Sequence, residues 1–193
     1  MGSGISGNYD EITPIFTLGY WKVHSALTKE KHEAVSLWLL DFDRIKADAK
    51  SRSERNKYIE SCLYSIQTMK QLDHPNILKI LVANENLSDL AFAAEPVAFS
   101  LENNLNYSND EVYYICDQLS NLASYLSNEK NLVSFHFYPG SFAFTSKFIL
   151  KLCLFNFTSV IIGQQGQTVP RQIWSKSKLG SPLNYTAPEY SNN

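Results

Sequence analysis

The run Ala34-Val35-Ser36-Leu37-Trp38-Leu39-Leu40 constrains this chain more than any other stretch. Apart from Ser36, every side chain in it is apolar, so neither face of a strand built from it tolerates water. Such a strand must lie inside a sheet with cover on both sides. Its neighbours supply the sheet. Candidate strands run from Ile15 to Leu18 and from Trp21 to Ser25, joined at Gly19, and two more from Ile77 to Ala83 and from Leu90 to Ala94. The polar stretch Asn84-Glu85-Asn86 opens the turn between the last two.

Two longer segments carry a helical period instead. Between Ser53 and Leu72, the apolar residues Ile59, Cys62, Leu63, Ile66, Met69 and Leu72 recur at three- and four-residue steps. His74-Pro75 ends that helix, because the residue before a proline is pushed out of the helical region. A second helix follows Asn109-Asp110, with Val112, Ile115, Cys116, Leu119, Leu122, Ala123 and Leu126 as its apolar positions. Phe142 to Phe144 and Phe148 to Cys153 pair as a hairpin across Thr145-Ser146-Lys147. The order of parts is that of an α+β fold with two lobes.

With 44% hydrophobic and 19% charged residues, the 193-residue chain has a globular balance and can build one substantial core. A formal net charge of −2 argues against a nucleic-acid partner, since no basic field opposes phosphates. Cys62, Cys116 and Cys153 lie far apart, with no paired spacing, and read as three buried thiols. No metal site assembles from them and the dispersed histidines. The N-terminus reads Met1-Gly2-Ser3-Gly4-Ile5-Ser6, which satisfies the myristoylation pattern at Gly2. One acyl chain without a polybasic second signal gives only weak, reversible membrane attachment.

These parts follow the order of a protein-kinase domain, from the glycine loop to an Ala-Pro-Glu box at Ala187-Pro188-Glu189. Position by position, the chemistry is missing. Gly19 is the only glycine kept in the loop that would approach phosphates, with Pro14 and Phe16 at the other two positions. Trp38 stands where the third strand of a kinase carries its phosphate-binding lysine. Ser65 stands where the first helix carries the glutamate that pairs with it. Losing both halves together leaves no unpaired charge inside. Ala94 takes the gatekeeper position, with Glu95, Pro96 and Val97 as the hinge, and Trp38 is expected to fill the space behind a small gatekeeper. In the run Ser134 to Ser141, His136 replaces the catalytic aspartate and Ser141 the magnesium-binding asparagine. His136, between two phenylalanines, reads as a partly buried packing residue. Leu154-Phe155-Asn156 stands for Asp-Phe-Gly, and leucine offers a hard cation no oxygen.

The chain resembles the Scy-like family of catalytically impaired kinase domains. The resemblance rests on Trp21-Lys22-Val23, on Glu33 through Asp41, on Leu90 through Val97 with Ser100-Leu101, and on Lys151–Phe157 and Tyr185–Tyr190. It implies a kinase-like small lobe over residues 14–97, with five strands and one long helix. Residues 1–13 would be a flexible leader, and residues 98–193 part of a helical large lobe ending at the Ala-Pro-Glu segment. It further implies a scaffold without catalysis, nucleotide, metal or cofactor, which binds proteins at Golgi or endosomal membranes from the cytoplasm. Gly19, Ala94, Glu95 and Val97 would line a vestigial pocket. The competing expectations are a kinase that still binds ATP, and a truncated fragment without function.

Overall fold

The computed structural model describes residues 4–103, 106–134, 137–156, 158–160 and 178–179. Its centre is a five-stranded antiparallel sheet in the order β1-β2-β3-β5-β4. The strands are β1 (Tyr9–Leu18), β2 (Trp21–Thr28), β3 (Ala34–Leu40), β4 (Ile80–Asn84) and β5 (Ala91–Ala94). The apolar run anticipated as an inner strand is the middle strand β3, paired with β2 on one side and β5 on the other.

Two helices lie between β3 and β4. The short α1 (Phe42–Asp48) is capped by Asp41, whose side chain accepts from the Arg44 N–H. The long α2 (Arg52–Gln71) starts with the Ser51 side chain accepting from the Glu54 N–H. Beyond the sheet come β6 (Phe99–Ser100), α3 (Asn109–Ser124) and a π-helical turn (Tyr125–Glu129). The strands β7 (Leu132–Ser134), β8 (Phe142–Phe144), β9 (Leu150–Leu152) and β10 (Thr158–Val160) follow. β6, β8 and β9 form one small sheet, and β7 with β10 another.

Both faces of the central sheet are covered. The inner face, with Val23, Trp38, Leu40 and Phe92, belongs to a core that runs through α2 and α3 to Leu152–Phe155 and Leu179. On the outer face Ala26, Val35, Leu37, Ala91 and Ala93 form a second cluster, closed by Ile5 and Tyr9. This corrects the expected flexible leader. Gly4 donates its N–H to the Asp89 carboxylate (2.8 Å), Ile5 is 4% exposed, and β1 begins at Tyr9 rather than near Ile15. Burying Ile5 contributes about 2 kcal/mol, and small alanines on β2 and β5 leave it room. The helix and strand boundaries otherwise shift by a few residues, and α1 is an addition to what the sequence suggested.

Cys116 is a second correction. It is exposed, whereas Cys62 and Cys153 are buried as expected. On α3 the buried side chains are Ile115, Gln118 and Leu122, and Cys116 lies round the helix from that stripe.

Candidate functional site

The cleft between the sheet and the α3 region is built around Trp38. Alternation along β3 puts Ser36 and Trp38 on one face, opposite Ala94 and Phe92 of β5 in the register. The indole is fully buried and stacks on Phe92, with ring centroids 5.4 Å apart and planes 10° from parallel. Phe16 of β1 meets it edge-on at 6.3 Å. The indole N–H donates to Ser36 Oγ at 2.9 Å, and the Ser36 hydroxyl donates to the Glu95 carbonyl at 2.7 Å. A polar chain therefore runs from the tryptophan through the serine to the hinge backbone. It satisfies the one donor that makes a buried indole costly.

The front of the cleft is closed by the turn at Gly19. Its φ of +56° suits glycine, and a methyl group placed there would lie 3.3 Å from Leu154 Cδ1. The turn sits directly on Leu154. α1 holds the turn in place. Arg44 donates from Nη1 to the Gly19 carbonyl (3.0 Å), and its guanidinium lies 4.9 Å from the centre of the Tyr20 ring. The Asp41 N–H donates to the Tyr20 carbonyl (2.8 Å), and the Tyr20 hydroxyl donates to Asp48 (2.9 Å). Burial and the Asp48 carboxylate push the Tyr20 phenol well above its ordinary pKa. Asp41 pairs with Lys22 at 2.8 Å. Burial opposes ionisation of Asp41, but the Lys22 and Arg44 contacts outweigh it and hold the carboxyl below its ordinary range.

The floor is Leu154-Phe155-Asn156, buried throughout. Ser65 of α2, at the position expected for the helix glutamate, accepts the Phe155 N–H at 2.8 Å. One turn earlier, Cys62 Sγ accepts from Asn156 Nδ2 at 3.0 Å. Burial pushes the Cys62 thiol up to about 12, against the lowering effect of its Asn156 and Tyr58 hydrogen bonds. Neutral hydrogen bonds thus join α2 to the cleft floor.

At the back, Glu95 accepts the Lys79 N–H and the Lys151 ammonium, both at 2.8 Å. Lys151 is 8% exposed, so this pair ties the hinge to β9 in a largely dry setting. Asn76, from the His-Pro-Asn run, donates from Nδ2 to Gln118 Oε1 and to the Leu150 carbonyl, each at 2.8 Å. The end of α2, α3 and β9 thus meet at one side chain.

Of the positions named from the sequence, the structure gathers Gly19, Trp38, Ser65, Ala94, Glu95, Val97 and Leu154 around one core. Ser141 is buried: its hydroxyl donates to the Tyr138 carbonyl at 2.7 Å, and its own carbonyl accepts the Cys153 N–H. Gly2, His136 and the Ala-Pro-Glu segment lie outside the described residues. Among the described residues, no three His, Cys, Asp or Glu side chains are gathered for a metal, and no helix is long and apolar enough to cross a membrane. The sequence reading missed the role of α1. Its signal was Asp41 as a cap three residues before the turn-pinning Arg44, followed by the single core residue Ile45.

The class defined by this architecture is a mixed α+β protein whose five-stranded antiparallel sheet and long helix resemble a kinase small lobe. No protein-family model matches the chain. It is 26% identical to human SCY1-like protein 2 over 217 aligned positions, covering 98% of this chain and 23% of that protein. To mouse SCY1-like protein 2 it is 30% identical over 114 positions, 56% of this chain and 12% of the relative. The chain therefore spans less than a quarter of the human relative's length.

Proposed function

We propose that this chain is a kinase-like scaffold that binds proteins and performs no phosphoryl transfer. The reading rests on one observation, the Trp38–Ser36–Glu95 chain. The Ser36 hydroxyl uses the hinge carbonyl that an adenine amine would otherwise reach, and the indole fills the space above Phe92. Leu154 under the pinned Gly19 turn supports it, since neither a metal-binding oxygen nor a free phosphate-binding loop stands there. The similarity to SCY1-like protein 2 supports the scaffold half of the reading.

The test is the thermal transition of the purified chain with and without ATP and magnesium. The reading expects one cooperative transition, unmoved by nucleotide. A ligand selective for the native state raises the midpoint, so a clear upward shift would overturn it in favour of a nucleotide-binding kinase.

The same reading extends to the membrane. An acyl chain on Gly2 would give weak, reversible attachment to Golgi or endosomal membranes, in keeping with a role in traffic. Metabolic labelling with an alkynyl myristate, lost in Gly2→Ala, is the expected result.

A further inference from the structure

The turn between β4 and β5 touches both the N-terminal segment and a cavity. The Asp89 N–H closes the turn on the Asn86 carbonyl (2.9 Å), and Asn84 Nδ2 donates to the Asp89 carbonyl (2.9 Å) and carboxylate (3.1 Å). The same carboxylate accepts the Gly4 N–H, and Ile5 is buried in the outer cluster of the sheet. The chain ahead of Gly4 is therefore held at this turn. Leu87 and Ser88, the two residues before Asp89, line a cavity of about 380 Å³ between the turn, α1 and α2, bounded by described residues. Its apolar surface comes from Phe42, Ile59 (7% exposed) and Leu87 (43% exposed). Asp43, Lys46, Arg55 and Glu60 also line it, and among the described residues no ion pair engages them. Two cations and two carboxylates balance, so the lining selects neither an anion nor a cation. What remains to set the ligand is the apolar surface.

We infer that this cavity takes up the acyl chain of Gly2, withdrawing it from membranes until the cavity releases it. The inference rests on the Gly2 acylation reading above and gives the acyl chain a second place to go. Gly2 is two residues from Gly4, so it lies within about 7 Å of it. Leu87 is two residues from the Asp89 that holds Gly4. A fatty acyl chain spans about half of a bilayer's hydrocarbon core, about 15 Å, which reaches from Gly2 into the cavity. An uncharged chain of methylenes gains by leaving water for Phe42, Ile59 and Leu87, and it asks nothing of the balanced charges. Tethering gives it an effective concentration at the cavity on the order of millimolar. That competes with a membrane, because a single myristate binds a bilayer only marginally.

The test compares the 193-residue chain produced with and without an N-myristoyltransferase. Mass spectrometry reports acylation first, and its absence overturns the Gly2 reading and this inference with it. In the acylated chain the Leu87 and Ile59 methyl resonances are expected to move, and the thermal midpoint to rise, because the acyl chain binds the native state. Ser88→Trp fills the cavity with an indole, and Leu87→Asp makes its lining polar. Both residues are exposed, so the unacylated variants keep the unfolding transition of the parent. Either change is expected to abolish the acylation-dependent rise and to strengthen binding of the acylated chain to phosphatidylcholine vesicles about fivefold. Leu81→Ser, at an exposed position of β4 that does not line the cavity, leaves both readouts unmoved. Resonances and midpoint indifferent to acylation, or vesicle binding unmoved by Ser88→Trp and Leu87→Asp, would overturn the inference while leaving Gly2 acylation standing.

Discussion

The two long helices solve different problems. α2 buries seven side chains, Tyr58, Ile59, Cys62, Ser65, Ile66, Thr68 and Met69, whereas α3 buries only Ile115, Gln118 and Leu122. The buried set of α2 includes polar atoms that hold Phe155 and Asn156, so this helix is part of the cleft's internal bonding. α3 reaches the core along one stripe and leaves an apolar, acidic face outside. The contrast separates a helix committed to internal bonding from one that meets the core along a single stripe.

The largest expected effect lies in the cleft. Trp38→Ala removes a fully buried indole from between Phe92 and Phe16 and leaves Ser36 without its donor partner. A loss of about 3–5 kcal/mol is expected in guanidinium unfolding. A loss below about 1 kcal/mol would mean that the indole does not fill the cleft. Next comes the joint between the two helices. Asn76→Ala strips hydrogen bonds from Gln118 and from the Leu150 carbonyl, in a buried setting, at a cost of about 2 kcal/mol.

A smaller effect is expected from pH. Burial first, and then the Lys151 charge, hold His74 below its ordinary 6.5, against the opposing pull of Glu129. The neutral ring accepts the Asn76 N–H at Nδ1. Because the folded value is the depressed one, this contribution is complete above about pH 6.5 and is lost as pH falls through the folded value. Unfolding midpoints measured between pH 7.5 and 5 should therefore decline, and His74→Gln should flatten the decline. The smallest effect belongs to the exposed face. Tyr113→Ser should change stability by no more than about 0.5 kcal/mol, and a larger loss would show that α3 is not the open helix of this comparison.

Much of this was legible in the sequence, for reasons that differ by element. β3 announced itself because burial on both faces leaves an unbroken apolar run, and α2 because its buried positions repeat at helical spacing. The order of landmarks also named Trp38, Ser65 and Leu154, which the structure gathers around one core. The N-terminal strand was not legible. Tyr9-Asp10-Glu11-Ile12-Thr13 is largely exposed, so its strand character comes from pairing with β2 rather than from its own pattern. α1 buries only Ile45, too little for periodicity to register. Cys116 was misplaced because its apolarity suggested the core, while Gln118 took the inward place to bond Asn76 and the Leu150 N–H. The Ser36 hydroxyl bridge joins residues 59 apart in the chain, and spacing carries no trace of it.

The most direct measurement is hydrogen exchange at the indole N–H of Trp38, resolved by NMR from the other two tryptophans and assigned with Trp38→Phe. A donor bonded to Ser36 in a filled cleft should exchange slowly, only when the core opens, and ATP with magnesium should leave its resonance unmoved. Fast exchange in the native protein, or a resonance that moves on adding nucleotide, would contradict the filled cleft.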